Sequence, residues 1–182
     1  MRRTLLLYRH ADASRPPATA DVDRDLSDRG ERQARAAGRW LLAEGLLPDL
    51  VVVSPSVRTT RTWALTGEVV AREGNVPGRQ TGVAPAVVVE PAVYAGGVEE
   101  LSEIVHDLPP DVATALICGH EPGLSEVLCH LAGEGSAPGE LDRLAARGMR
   151  KGSVAVLVAD DLAHWRAARP GGLRLVRVSP VG

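Results

Sequence analysis

The stretch that decides the fold is TLLLYRHAD, residues 4–12. Its apolar run has the length of a buried strand and leads directly into the pair Arg9-His10. Ligands of open α/β sheets bind outside the carboxyl ends of the strands, so a central strand here would place both side chains on the floor of a crevice. A histidine in that position can serve as a base, a ligand or a nucleophile. The neighbouring guanidinium suits a phosphate and would repel a metal ion, which favours a phosphate-handling histidine.

Two more predicted strands end in polar side chains of a similar kind. The strand over residues 49–53 is followed by Ser54, with Arg58 one turn into the next helix, and the strand over residues 114–118 is followed closely by His120. These ends meet at one edge of a parallel sheet, so two arginines and two histidines would share one crevice. Arginine forks pair with phosphoryl oxygens, and the helices that follow would add backbone N–H groups. A neutral histidine can attack phosphorus while the second histidine stabilises the transferring group.

Strands and helices alternate along the chain at the spacing of βαβ units. The sequence therefore predicts a single α/β domain over residues 1–182, with three α/β/α layers around a mostly parallel sheet. The last two strands are expected to form a hairpin at the sheet edge. The predicted strands cover about residues 4–8, 49–53, 86–90, 114–118, 154–158 and 173–178, and the predicted helices about residues 27–45, 55–71, 98–108, 124–131 and 140–146.

Two polar segments interrupt this alternation. Residues 12–25 form a long, proline-containing loop after the first strand, and a long loop at the carboxyl end of a strand often shapes a site. Residues 74–85 are rich in glycine, proline and polar side chains, and we expect an excursion there rather than a domain boundary. Ser27 is the expected N-cap of the helix that follows the first loop, and Gly45 is expected to end that helix.

Length, net charge and cysteine spacing exclude several classes of protein. A chain of 182 residues can bury one good core and is rather short for two. Its net charge of -2 gives no electrostatic case for nucleic acid or an anionic membrane surface as a partner. The apolar run near the start is too short for a signal peptide, and no stretch has the length of a membrane span. Cys118 and Cys129 are not spaced as a redox motif, so a reduced, cytoplasmic protein is expected.

Four motifs at predicted strand–helix junctions carry a family resemblance. They are LYRHA (residues 7–11), LSDRGERQA (26–34), SPSVRTTRT (54–62) and ICGHEPGL (117–124). In this order they resemble the histidine phosphatase superfamily, which is phosphoglycerate mutase-like, and specifically its branch 1 SixA-type phosphohistidine phosphatases. A lone Arg-His pair would be weak evidence, whereas four ordered motifs are strong. The resemblance implies a phosphoglycerate mutase-like fold and a histidine phosphatase domain.

The resemblance also implies a role for each matching residue. His10 would be the nucleophile that becomes phosphorylated, and Arg9, Arg58 and His120 would hold the phosphoryl group. Ser54 is expected both to cap the second helix and to form a wall of the phosphate pocket.

The chain departs from the family pattern at three positions. Ala11 stands where glycine is commoner, which an ordinary backbone angle would tolerate. Arg61 stands where glutamine is frequent, and we expect it on the surface of its helix. Glu121 stands where asparagine is frequent, so a carboxylate beside the anion site would favour a cationic or peptide group in the substrate.

The general acid that protonates the leaving group has three candidates. Larger relatives use a glutamate from a loop after the third strand, and Glu100, with Glu99 as an alternative, lies in that region of this chain. Asp12, two residues beyond the nucleophile, is the third candidate. Phosphohistidine has a good leaving group, because a neutral imidazole departs readily once its free nitrogen is protonated. A dedicated acid is therefore not strictly required.

The expected function is metal-independent hydrolysis through a phosphohistidine at His10. Phosphohistidine proteins are the favoured substrates, since no long insertion covers the site. A phosphatase for small phosphorylated metabolites would use the same residues, with the loop over residues 12–25 carrying specificity, and a non-catalytic phosphate-binding scaffold is the third possibility. No cofactor is expected, because neither a nucleotide-binding glycine motif nor paired zinc-ligand spacing occurs.

Overall fold

The computed structural model describes residues 1–74, 84–137 and 139–180. Its strands are β1 (Arg3–Arg9), β2 (Leu50–Val53), β3 (Ala86–Val89), β4 (Thr114–Gly119), β5 (Val154–Ala159) and β6 (Arg174–Val178). Its helices are α1 (Asp28–Glu44), α2 (Val57–Gly74), α3 (Ala92–Ala95), α4 (Val98–His106), α5 (Gly123–Leu131) and α6 (Glu140–Arg147). Short 3-10 turns span Asp21–Asp23 and Trp165–Ala167.

The strands form one sheet in the order β3-β2-β4-β1-β5-β6. β1 runs parallel to β4, β4 to β2 and β2 to β3, whereas β5 runs antiparallel to both β1 and β6. The register pairs Arg9 of β1 with Gly119 of β4, and Val53 of β2 with Cys118 of β4. Three parallel strands therefore stop side by side, which brings the residues after them to one edge of the sheet. The predicted α/β class with a mostly parallel sheet is confirmed.

Helices cover both faces of the sheet, because the inner strands are apolar on both sides. Side chains alternate between the two faces along a strand. Leu6 packs on one face in a cluster that includes Trp63 of α2, whereas Leu7 packs on the other in a cluster that includes Leu101 of α4 and Leu124 of α5. Of the helices in the described ranges, none has the length and apolar character needed to cross a membrane.

The two edges of the sheet differ from each other. The β5–β6 pair forms one edge, as the predicted hairpin requires. At the other edge β3 is exposed, with Val87, Val88 and Val89 each about half accessible. Its apolar sequence predicts a strand but carries no sign of this exposure. The predicted excursion over residues 74–85 falls mostly on residues 75–83, outside the described residues, and Gly74 ends α2.

The start of α1 packs tightly against the backbone that follows β1. Ser27 is its N-cap as predicted, since its Oγ accepts a hydrogen bond from the N–H of Gly30 at 3.1 Å. Gly45 ends the helix in the left-handed conformation, with φ 66°. A Cβ at Gly30 would lie 1.9 Å from the carbonyl oxygen of Asp12. Glycine at this position therefore lets α1 approach the chain two residues after His10.

Candidate active site

His10 lies just beyond the carboxyl end of β1, where its side chain is buried. Its Nδ1 lies 2.8 Å from the carbonyl oxygen of Ala11. Because a carbonyl oxygen only accepts hydrogen bonds, Nδ1 carries the proton and Nε2 keeps its lone pair. The pKa of His10 is lowered to about 4, chiefly by burial and also by the charges of Arg58, Arg9 and Lys151. The imidazole is therefore neutral near neutral pH, which is the state a nucleophile requires.

His120 follows β4 and faces the same pocket, with its ring centroid 5.0 Å from that of His10. Arg58 Nη2 donates to Nδ1 of His120 at 3.3 Å, because a guanidinium cannot accept. The proton of the neutral ring consequently lies on Nε2, which donates to Ser54 Oγ at 2.8 Å. The pKa of His120 is lowered to about 3, mainly by burial and then by the neighbouring His10 and Arg58. Both histidines are thus held neutral beside fixed cations.

Arg58 projects from the first turn of α2, and a carboxylate pairs with its guanidinium. Its Nη2 donates to Asp21 Oδ2 at 2.7 Å, and its Nη1 donates to the backbone carbonyl of Asp21. Tyr94 donates its hydroxyl to the same Oδ2 at 2.8 Å. Hydrogen bonds from Tyr94, Arg24 and Arg58 hold the pKa of Asp21 well below its usual range. Asp21 lies in the predicted loop over residues 12–25, and nothing in the sequence marks its role, because its contact with Arg58 spans 37 positions.

The backbone at Met149 holds the side chain of Arg9 in place. Its Nη1 donates to the carbonyl of Met149, whereas its Nε is buried and has no acceptor among the described residues. Oε1 of Glu121 accepts from the N–H of Met149 at 3.1 Å and from Ser125 Oγ at 2.8 Å. Burial raises the pKa of Glu121. The carboxylate expected to attract a cationic substrate group is therefore bonded to Met149 and Ser125, where it supports the loop that holds Arg9.

The backbone around the nucleophile is fixed by hydrogen bonds from two other elements. Thr62 of α2 accepts from the N–H of Ala11 at 3.1 Å and donates to the carbonyl of Arg58 at 2.5 Å. The N–H of Gly152 contacts the carbonyls of Arg9 and His10, each at 3.1 Å. Thr62 lies in a motif that the sequence analysis quoted, but its spacing gave no sign of this contact. His10 is thereby held on a rigid support.

The three candidate acids lie in different surroundings. Asp12 accepts from Lys151 Nζ at 2.7 Å, and this hydrogen bond is the first cause of its lowered pKa. Oε2 of Glu100 accepts from the N–H of Gly97 at 2.9 Å, where it caps α4. In the part of the chain that the structure describes, neither Glu99 nor Glu100 forms a hydrogen bond or ion pair with the pocket histidines or arginines. The choice of acid stays a prediction.

The predicted pocket residues converge at the sheet edge. His10, Arg58, His120 and Ser54 form one contact network, and the charge of Arg9 lies close enough to lower the pKa of both histidines. Within residues 1–74, 84–137 and 139–180, no His, Cys, Asp and Glu side chains gather in a group that could hold a metal ion. The network combines two fixed cations with an unprotonated ring nitrogen. It can therefore bind a tetrahedral anion and attack its central atom.

The sequence matches a known family model and several known proteins. The model of the "Histidine phosphatase superfamily (branch 1)" matches residues 5–75, which include His10 and Arg58. The uncharacterised protein Rv1276c of Mycobacterium tuberculosis is 33% identical over 171 residues, which cover 92% of this chain and 96% of the relative. The similarity thus extends well past the segment matched by the family model.

Solved structures show the same fold. The proposed phosphohistidine phosphatase SixA from Nakamurella multipartitia has a TM-score of 0.76 and 33% sequence identity, covering 98% of this chain and 96% of that chain. A phosphoglycerate mutase from Plasmodium falciparum has a TM-score of 0.61 at 14% identity, covering 100% of this chain and 92% of that chain. The second match is one of fold alone. Together they agree with the phosphoglycerate mutase-like architecture expected from the four motifs.

Proposed function

Since the chain belongs to the histidine phosphatase superfamily (branch 1) and is a phosphohydrolase, we propose that it hydrolyses phosphohistidine in proteins without a metal ion. The observation that carries this proposal is the neutral His10 beside Arg58 and His120. Its Nδ1–H is bound to the carbonyl of Ala11, so Nε2 is the nitrogen available for attack. The similarity to a proposed SixA supports phosphohistidine as the bond that is cleaved.

Binding of the phosphoryl group uses the two arginines. Arg58 is already oriented by the carbonyl and carboxylate of Asp21, so its position is set before the substrate arrives. Arg9 lies beside the pocket, where its charge lowers the pKa of both histidines, and its guanidinium would bind a second phosphoryl oxygen. Two guanidinium groups balance the charge of a phosphoryl dianion and match its geometry. The substrate phosphorus is thereby held against Nε2 of His10.

The reaction proceeds in two displacements. In the first, the Nε2 lone pair of His10 forms a bond to phosphorus while the bond from phosphorus to the substrate imidazole breaks, and that imidazole takes the electron pair. The leaving ring departs neutral when its other nitrogen is protonated. In the second, water attacks phosphorus, the bond to Nε2 breaks with its electron pair left on Nε2, and inorganic phosphate is released as dihydrogen phosphate, which carries both protons of the water. His10 returns to its neutral state, and His120 stabilises charge in both steps.

A dedicated acid would matter most for leaving groups poorer than imidazole. Asp12 and Asp21 are both held as carboxylates by their partners, which disfavours an acid role for either. We propose Glu100 as the residue to test first, with Glu99 second. Glu100→Gln should leave phosphohistidine hydrolysis nearly unchanged and lower the turnover of alkyl phosphates. Equal loss on both substrates would contradict an acid role confined to poor leaving groups.

The rim of the pocket is exposed, which favours a macromolecular substrate. The side chain of Asp21 is 55% exposed, although the Arg58 side chain that it contacts is only 7% exposed. A phosphohistidine on a protein surface could thus reach the arginines from outside. We also propose a cytoplasmic location, which the two free cysteines support.

The first experiment measures hydrolysis of p-nitrophenyl phosphate in EDTA. Wild type should be active and His10→Ala should lose at least about a thousandfold in kcat/KM. His164→Ala, which removes an exposed histidine, is the matched control and should retain full activity. Activity that requires added metal, or that survives in His10→Ala, would refute the proposed route.

The second experiment separates the substrates. A phosphohistidine peptide and a panel of sugar phosphates and nucleotides compete for the enzyme, and kcat/KM is compared across them. Preference for the peptide supports the proposed substrate class. Preference for one metabolite would replace it with a small-molecule phosphatase, and binding without turnover of any substrate would indicate a scaffold.

A further inference from the structure

A second, basic depression adjoins the phosphate pocket. Its volume is about 340 Å³, and its lining consists of charged and amide side chains. The lining residues are Asp12, Arg29, Gln33, Arg150 and Lys151. Three of these five are cations and one is a carboxylate, so the depression carries a positive surplus although the whole chain has a net charge of -2.

The depression is tied to the nucleophile by backbone hydrogen bonds. The N–H of Gly152 contacts the carbonyls of Arg9 and His10, each at 3.1 Å, which brings Arg150 and Lys151 beside the pocket. On the other wall, the N–H of Asp12 donates to Oε1 of Gln33 at 2.9 Å. Asp12 itself is only two residues from His10. These contacts place the depression next to the phosphate pocket, so one ligand can occupy both.

The cations of the depression are only partly neutralised. Lys151 Nζ lies 2.7 Å from Asp12 Oδ1, and Oδ2 of the same carboxylate accepts from Ser27 at 2.8 Å. The guanidinium groups of Arg29 and Arg150 are exposed and form no hydrogen bond or ion pair with any residue that the structure describes. Two guanidinium groups therefore remain available to an external anion. Guanidinium forks pair well with carboxylates.

We propose that this depression binds a carboxylate side chain that flanks the phosphorylated histidine of the protein substrate. The inference rests on the proposed function and adds a sequence preference to it. Arg29 and Arg150 hold the carboxylate, while Lys151 and Asp12 keep the wall in place. An acidic residue near the phosphohistidine is recognised because it reaches the depression while its neighbour occupies the phosphate pocket.

The test uses two phosphohistidine peptides that differ only in the residues flanking the histidine, which are glutamate in one and glutamine in the other. For wild type, kcat/KM should be about three- to tenfold higher for the glutamate peptide at low ionic strength. The ratio should fall towards one when salt is raised to about 0.5 M, because screening weakens exposed charge pairs. In the double variant Arg29→Gln, Arg150→Gln the ratio should approach one at any ionic strength. Arg72→Gln is the matched control, since this exposed arginine lies about 20 Å along α2 from Arg58, and it should keep the wild-type ratio.

The outcomes separate this inference from the proposed function. Equal kcat/KM for both peptides in wild type, or a preference that persists in the double variant, would overturn the carboxylate site and leave the phosphohistidine phosphatase intact. Turnover of p-nitrophenyl phosphate without turnover of either peptide would overturn the proposed substrate, and the inference with it. A preference lost equally in Arg72→Gln would show a general charge effect and would also overturn the site.

Discussion

Acid should destabilise this protein partly through His10, because the folded state buries this histidine in neutral form. Its ordinary pKa of 6.5 is lowered to about 4 in the folded chain. Between these two values the unfolded chain binds a proton that the folded chain does not, so stability falls as the pH is lowered. Between about pH 7 and about pH 5, His10 alone should cost about 2 kcal/mol of unfolding free energy.

The assay compares urea unfolding of wild type with that of His10→Asn at both pH values, followed by tryptophan fluorescence. Trp63 and Trp165 are buried, so unfolding exposes both. The variant cannot take up this proton, and it should lose about 2 kcal/mol less than wild type between the two pH values. Carboxylates that titrate in the same range are common to both proteins and cancel in the difference. The pKa of His120 is no longer lowered by His10 in the variant, which adds to the difference in the same direction. His164→Asn should follow wild type, and a difference between wild type and His10→Asn that does not change with pH would refute the reasoning.

Two further predictions concern the support of the site. Ser54→Ala removes the nearer acceptor for Nε2–H of His120 and leaves only the Ser56 hydroxyl at 3.4 Å. The ring then loses orientation, so kcat/KM on p-nitrophenyl phosphate should fall about tenfold, which corresponds to about 1 kcal/mol. An unchanged pH profile and rate would contradict this positioning role. Gly30→Ala forces a Cβ to within 1.9 Å of the carbonyl of Asp12, so it should destabilise the fold by at least about 2 kcal/mol. Gly67→Ala is the matched control, because a Cβ at this position in the middle of α2 would have ordinary contacts. This substitution should stabilise the protein by about 0.5–1 kcal/mol in thermal unfolding.

Features that depend on local pattern were predictable from the sequence, and the structure agrees with them. The apolar runs predicted the strands, Ser27 and Gly45 marked the ends of α1, and polar residues after three strands indicated where a site would form. Parallel pairing then requires these residues to meet, so the approach of His10 to His120 follows from topology alone.

Contacts across long stretches of sequence were not predictable in the same way. Asp21 reaches Arg58 from a loop, and Thr62 reaches the backbone of Ala11 from a helix, with no periodic pattern to mark either. The orientation of the Glu121 side chain was also not predictable. A side chain next to the site can face either the ligand or the loop behind the site. The exposure of β3 at the sheet edge likewise depends on neighbours that its own sequence does not specify.

The charges around His10 and His120 set the protonation state of both rings, and this balance changes when the substrate binds. Without substrate, Arg58 and Arg9 add to the effect of burial and lower the pKa of both rings. A phosphoryl dianion bound between the arginines offsets their charge, so it removes their lowering effect on the pKa of His120 and raises that pKa. The hydrogen bond from Nδ1 of His10 to the carbonyl of Ala11 leaves Nε2 of His10 unprotonated before and after the substrate binds, as its proposed role as nucleophile requires.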